Sequence, residues 1–211
     1  MKRHALTFTK FAVYIGMFGL LLTSCSKDDP TTEEEIKTPV TPSVLEPVVY
    51  RNLEGDTDSK NIPGYFSFET GTEVDASKAE TNEWDIAFSG TTIYVNGGTS
   101  GPGLGGAQIV SGTFESIVTA PESGYKQDAD GTYAIPTGSG NGWYSYNMLT
   151  HVITPIAGKV ILLKTAKGKY AKLEIISYYK GAPANPNALT DKNRHYTFRY
   201  VYQPDGSVKL Q

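Results

Sequence analysis

Downstream of the first 24 residues, three side chains other than carboxylates suit iron or another transition metal: Met148, His151 and His195. A thioether is a weak neutral donor that favours ferrous over ferric iron, and imidazole is a common ligand to either. Met148 has two readings, a metal ligand or an unbranched side chain filling a gap in the core. His151, three residues on, is an alternative ligand on the same side or a surface histidine. His195 opens a strand on its polar face and is expected to be solvated.

Other chemistry is thinly represented. Gly101-x-Gly103-x-x-Gly106 has the spacing of a dinucleotide-binding turn, but that turn works by feeding a helix N-terminus, and Ala107-Gln108-Ile109-Val110 reads as strand. A loop packed close to neighbouring backbone is the expected role of these glycines. Asp128-x-Asp130-Gly131 resembles the start of a calcium loop without its later ligands, so a solvated β-turn is expected. Two histidines and no Gly-x-Ser-x-Gly elbow leave no hydrolase arrangement, and binding rather than catalysis is the expected activity.

The leader explains why the count begins at residue 25. Lys2, Arg3, His4 and Lys10 precede or open an apolar run from Phe11 to Leu22, 12 residues long, where a membrane-crossing helix needs about 20. With Leu22-Thr23-Ser24-Cys25 after it, the segment resembles a bacterial lipoprotein signal, residues 1–24, whose product is acylated on Cys25 and anchored to a membrane. Cys25 is the only cysteine, which excludes an intramolecular disulfide. Ser26, Lys27, Asp28 and Asp29 look like the tag that sends lipoproteins of the Bacteroidetes to the outer face of the outer membrane. Residues 25–47, with Pro30, Pro39, Pro42, Pro47 and the Glu33-Glu34-Glu35 run, read as a flexible tether.

Of 19 Lys and Arg residues, Lys2, Arg3 and Lys10 leave with the signal, so 16 face 22 acids for a net charge near −6. That balance argues against nucleic acid as a partner, because no basic surface neutralises phosphates.

The elements that must position the candidate ligands are strands. From residue 48 to 211, short runs rich in Tyr, Val, Ile, Phe and Thr alternate with Gly, Asn, Asp and Pro, the pattern of a single all-β antiparallel domain with at most a minor helix. The runs are Tyr65 to Glu69, Glu83 to Val95, Ala107 to Val118, Lys159 to Thr165, Tyr170 to Tyr179 and His195 to Tyr202. Ala166-Lys167-Gly168-Lys169 predicts a hairpin. Pro204-Asp205-Gly206 predicts a turn into a short closing strand.

Trp84-Asp85-Ile86-Ala87-Phe88, the Ser100-Gly101-x-Gly103-x-Gly105-Gly106-Ala107 core, Gly142-Trp143-x-x-Tyr146 and Lys159-Val160 through Gly168-Lys169-Tyr170-Ala171-Lys172-Leu173 occur in the order found in a known family. Together they resemble the HmuY-like haem-binding lipoproteins of Bacteroidetes. The resemblance implies an all-β fold with a non-covalent b-type haem at one end. It also implies haem capture from host haemoproteins and delivery to a TonB-dependent outer-membrane receptor. In the best-known member of that family a histidine pair holds the iron, the second lying five residues after the tryptophan matched by Trp143; here that position is Met148, and the resemblance extends to relatives that use methionine in place of histidine. The stretch that should carry the first, Tyr125 to Asn141, has neither histidine nor methionine. Met148 is thus the leading axial ligand, His151 the alternative and His195 a lesser one, with Tyr133, Tyr144 and Tyr146 as candidates to line the haem pocket. The rival reading is a surface module that binds glycan or protein, without haem, on the same scaffold.

Overall fold

The computed structural model describes residues 44–57 and 61–211. The leader 1–24, Cys25, Ser26, Lys27, Asp28, Asp29 and most of the tether lie outside the described residues.

Eleven strands follow in chain order: β1 (Val48–Glu54), β2 (Gly64–Ser67), β3 (Thr72–Val74), β4 (Ile86–Ser89), β5 (Thr92–Val95), β6 (Gly106–Ser111), β7 (Tyr144–Tyr146), β8 (Ile153–Pro155), β9 (Lys159–Lys164), β10 (Tyr170–Ser177) and β11 (His195–Gln203). A 3-10 turn at Ala76–Lys78 is the one helical element among the described residues. The fold is all-β and its strand pairs are antiparallel, as the alternating runs predict.

Val160-Ile161-Leu162-Leu163 is an unbroken apolar run, and a strand of that composition needs cover on both faces. β9 has it. In the five-stranded sheet, ordered β1-β11-β10-β9-β6, Ile161 and Leu163 join Leu173, Tyr196, Phe198 and Tyr200 on one face. Against them pack Phe66, Ile86, Phe88, Ile93 and Val95 from the four-stranded sheet β3-β2-β4-β5. Val160, Leu162 and Val201 face the other way, under Phe114, Ala120 and Leu210. The predicted closing strand is a single bridge between Thr119 and Lys209, with Leu210 donating to the carbonyl of Val118. Leu45, read from sequence as tether, packs against this second cluster.

Lys172 is also buried on that side. Its ammonium donates to the carbonyls of Phe114 and Ile117 at 2.9 and 2.8 Å and stands 4.5 Å over the Phe114 ring, while burial lowers its pKa. The lysine therefore fixes the loop after β6 instead of facing solvent.

Several sequence boundaries shift. The run from Glu83 to Val95 divides at Gly90, whose φ of +56° makes the turn between β4 and β5. The run from Ala107 ends at Ser111, where Gly112 turns the chain. Strands β1, β3, β7 and β8 lie outside the runs that the sequence pattern marks. β1 is disguised by a register shift between Tyr50 and Leu53, with Asn52 at φ +61°. The hairpin through Gly168, φ +76°, stands where the sequence predicts it.

Buried polar side chains join these pieces. Asn96 is fully buried, donates to the carbonyls of Thr81 and Trp84, and accepts from the Gly103 N–H. The glycine-rich loop wraps around it: a Cβ on Gly103 or Gly105 would stand 2.7 or 2.4 Å from the Asn96 carbonyl oxygen. The glycines are thus there for close backbone approach, as expected. Asp85 accepts from Phe68 N at 2.8 Å and Ala166 N at 3.0 Å, tying the β9–β10 hairpin to the second sheet, and burial raises its pKa. Asp128 departs from expectation: it is buried, and it accepts from Val95 N and Ala134 N at 3.0 and 2.8 Å. Its carboxylate satisfies backbone donors rather than solvent, while Asp130 is exposed.

Candidate functional site

The short β7–β8 hairpin carries Met148 and stands on a rigid base. Trp143 is buried, and its indole N–H donates to the Thr91 carbonyl at 3.0 Å. Its ring packs on Tyr144, Tyr178 and Tyr196 at centroid distances of 4.9, 5.9 and 5.4 Å. Tyr196 donates in turn to the Gly90 carbonyl at 2.7 Å, and Tyr179 accepts from Ile153 N at 3.1 Å. Burial pushes the Tyr178 hydroxyl up to about 12 and Tyr196 well above its ordinary value. These phenols stay protonated and serve as fixed structure.

Above this base the chain turns sharply. Asn147 N donates to the Val152 carbonyl, and the Asn147 side-chain oxygen accepts from Leu149 N and Thr150 N at 2.9 and 3.1 Å. An asparagine that caps the next backbone donors in this way stabilises a tight turn. His151 completes it with φ +57°, a left-handed conformation more common for histidine than for most residues. Tyr146 N is held by the Ser139 hydroxyl at 2.8 Å.

Met148 and Leu149 occupy the tip, 81% and 92% exposed. The core-filling reading of Met148 is therefore excluded by its position. Tyr146 is exposed at the end of β7, and its hydroxyl lies 2.5 Å from Nδ1 of His151. The structure thus pairs Tyr146 with His151 beside the turn whose tip carries Met148. The other sequence candidates lie apart from this turn in their contacts. Tyr144 is 8% exposed and packs in the core beside Trp143, whereas Tyr146, two residues on, lies nearer the open end of the hairpin. Tyr133 meets Tyr94 of β5 edge-on at 5.2 Å. His195 is buried, not solvated: Nδ1 lies 2.7 Å from the Asn193 carbonyl and Nε2 3.4 Å from a Glu54 oxygen across the β1–β11 register. The flanking strand β1 and the Asn193 turn enclose a position that an isolated alternating pattern reads as outward.

Thioether, imidazole and phenolate are all axial ligands to haem iron. The hairpin tip holds one of each, accessible to a planar group, so its donor set fits that cofactor. Among the described residues no cluster of three or more His, Cys, Asp or Glu side chains could hold a bare metal ion. Tyr146 beside His151 is the feature sequence reasoning missed as a pair. Its signal was the asparagine-capped turn, which brings residues five apart in sequence to opposite sides of a hairpin neck.

A cleft on the outer face of the four-stranded sheet is a separate feature. Tyr65, Ala87 and Tyr94 stand side by side in register on β2, β4 and β5, with Pro63, Trp84 and Ser100 around them. Its lining contains no charged side chain.

No curated protein matches the chain. Among solved structures, a HmuY-like protein from Bacteroides vulgatus is 16% identical with a TM-score of 0.48, covering 75% of this chain and 92% of its own. The apo HmuY analog of Tannerella forsythia is 15% identical with a TM-score of 0.46, covering 77% and 99%. The assignment itself rests on sequence: residues 60–200 match the family model described as HmuY protein. The chain belongs to the HmuY family.

Proposed function

We propose that this chain is a lipid-anchored, surface-exposed, non-enzymatic protein that binds haem through the β7–β8 tip and passes it to a TonB-dependent outer-membrane receptor. Met148 is the leading axial ligand, with His151 the alternative on the same side. The observation that carries this reading is the placement of Met148: a large apolar side chain held 81% exposed on a turn that is itself fixed by hydrogen bonds. Leu149 stands exposed next to Met148, so the tip offers a continuous apolar surface on which a macrocycle would rest. Family membership supports the same reading.

When bound, haem supplies an iron centre that takes axial donors. The chain's part is to present the Met148 sulfur and keep the hairpin from moving. Trp143 and Tyr196 hold the base, and Asn147 holds the turn. Leu149 adds apolar surface beside the sulfur for the macrocycle to cover.

Haemin added to the full-length chain and then reduced with dithionite should give a saturable Soret shift, and Met148→Ala should alter the spectrum of the reduced complex. An unsaturable, non-specific absorbance change would refute haem binding. The anchor has its own test. Cys25→Ser should leave the β domain folded and move the protein out of the membrane fraction, and retention after a high-salt wash would refute lipid anchoring. Replacing Asp28 and Asp29 together by Ala should keep the anchor but reduce cleavage by external protease in intact cells. Unchanged cleavage would refute the export tag.

A further inference from the structure

The face of the four-stranded sheet that turns away from the core carries a row of side chains with no part in haem binding. Tyr65 of β2, Ala87 of β4 and Tyr94 of β5 pair directly across the strands, so all three stand on one face. Two strand spacings put the tyrosine backbones roughly 10 Å apart, with only the Ala87 methyl between them. Both rings are braced: Tyr65 meets Trp84 edge-on at 4.9 Å, and Tyr94 meets Tyr133 edge-on at 5.2 Å. The result is a slot open to solvent, about 380 Å³ in volume, at the small end of the range for ligand pockets.

Ser100 also lines the slot, and its neighbour Gly101 fixes it there. A Cβ on Gly101 would lie 2.3 Å from the Asn96 side-chain oxygen and 2.8 Å from the Trp84 ring, so only glycine allows so close an approach. The glycine-rich loop thus delivers a hydroxyl to the slot. The Tyr65 hydroxyl has no hydrogen-bond partner among the described residues. Burial raises the pKa of both Tyr65 and Tyr94, so the two phenols are neutral.

We propose that this slot binds one neutral sugar ring, a hexopyranose unit of a glycan. A pyranose has a face of C–H groups and a rim of hydroxyls, and the slot answers both. The negative faces of aromatic rings attract polarised C–H groups, while the phenols and Ser100 can exchange hydrogen bonds with hydroxyls. A six-membered ring fits between walls roughly 10 Å apart with contacts of about 3.5–4.0 Å on each side. Charge decides against other ligands. A cation would leave water with no carboxylate in the lining to pair with it. An anion would meet the fields of Glu80 and Asp128, which act on Tyr65 and Tyr94. The lining includes none of Tyr146, Met148 and His151, so sugar binding here is independent of haem.

Saturation-transfer NMR on the full-length chain, in a detergent without a sugar headgroup, tests this. The probes are the methyl glycosides of glucose, galactose, mannose and N-acetylglucosamine, with choline and N-acetylneuraminic acid as the cation and the anion. At least one neutral glycoside should give saturable transfer, strongest at the protons of one ring face, and the two charged probes should give none. Tyr65→Ala and Tyr94→Ala should each weaken binding about three- to tenfold, the scale of one lost aromatic contact. Ala87→Val keeps both rings, fills the floor of the slot and should abolish binding. A β-branched residue suits a strand, so this variant keeps the test decisive if a melt shows that a tyrosine variant has unfolded. Absence of saturable transfer from all the neutral glycosides overturns the proposal, as does choline binding in their place. Sugar binding that survives Ala87→Val, or both tyrosine changes, also overturns it.

Discussion

The Trp143 indole N–H donates to the carbonyl of Thr91 at 3.0 Å, joining residues 52 positions apart and seating the candidate hairpin on the β4–β5 turn. Trp143→Phe removes that donor and leaves the Thr91 carbonyl unpaired, at a cost of about 1–3 kcal/mol. A thermal melt should fall by roughly 2–4 °C per kcal/mol for a domain of this size. An unchanged melting temperature would show that the indole bond does not hold the base.

Met148→Ala and Leu149→Ser should leave stability within about 0.5 kcal/mol of the parent, because neither side chain is covered by the domain. The same Met148→Ala protein should lose most of its preference for ferrous haem. A large loss of melting temperature in chemical denaturation or heating would contradict the exposed position.

Gly105→Ala and Gly131→Ala separate close packing from turn geometry. At Gly105 a Cβ would lie 2.4 Å from the Asn96 carbonyl oxygen, whereas at Gly131 it meets nothing within 4 Å and only the φ of +69° is strained. The expected losses are about 3 kcal/mol or more for Gly105→Ala and about 1–2 kcal/mol for Gly131→Ala. Urea titrations of both variants decide it, and equal losses would remove the structural account of the glycine-rich loop.

The sequence makes these two loops legible to different degrees. A strand following Gly106 was enough to exclude a phosphate-binding turn, since the local pattern already denied the helix that chemistry requires. Asn96 as the hub of the loop was not legible, because its partners Thr81, Trp84 and Gly103 come together only in the folded chain. The Val160 to Leu163 run announced a strand buried on both faces. The three-residue strands β7 and β8 are too short for periodicity to register, so the site-bearing hairpin was visible only through its residue types. His195 and Asp128 were misread for a common reason: a polar residue in an alternating or turn pattern looks solvated unless the element that covers it is known.

Asp85 is expected to show an unusual pH dependence. Burial raises its pKa above 3.8, so the folded state holds the proton more tightly than the unfolded state. Its contribution to stability is therefore fully present below the unfolded value and declines as pH rises through the folded one. Asp85→Asn places an amide where two backbone N–H groups need acceptors and should cost about 1–3 kcal/mol. The parent's advantage over Asp85→Asn should shrink as pH is raised from about 4 toward neutrality. Melts across that range check the sign, and an advantage that grows with pH would contradict it.

Haem held at the β7–β8 tip through Met148 would carry a thioether on ferrous iron. The most direct measurement is an anaerobic titration of ferrous haem into the full-length chain and its Met148→Ala variant, following the Soret band and the bands of thioether-ligated iron. The parent should bind saturably with a thioether signature, and Met148→Ala should lose both the signature and most of the affinity at unchanged melting temperature. Identical ferrous spectra and affinities for the two proteins would contradict ligation through Met148.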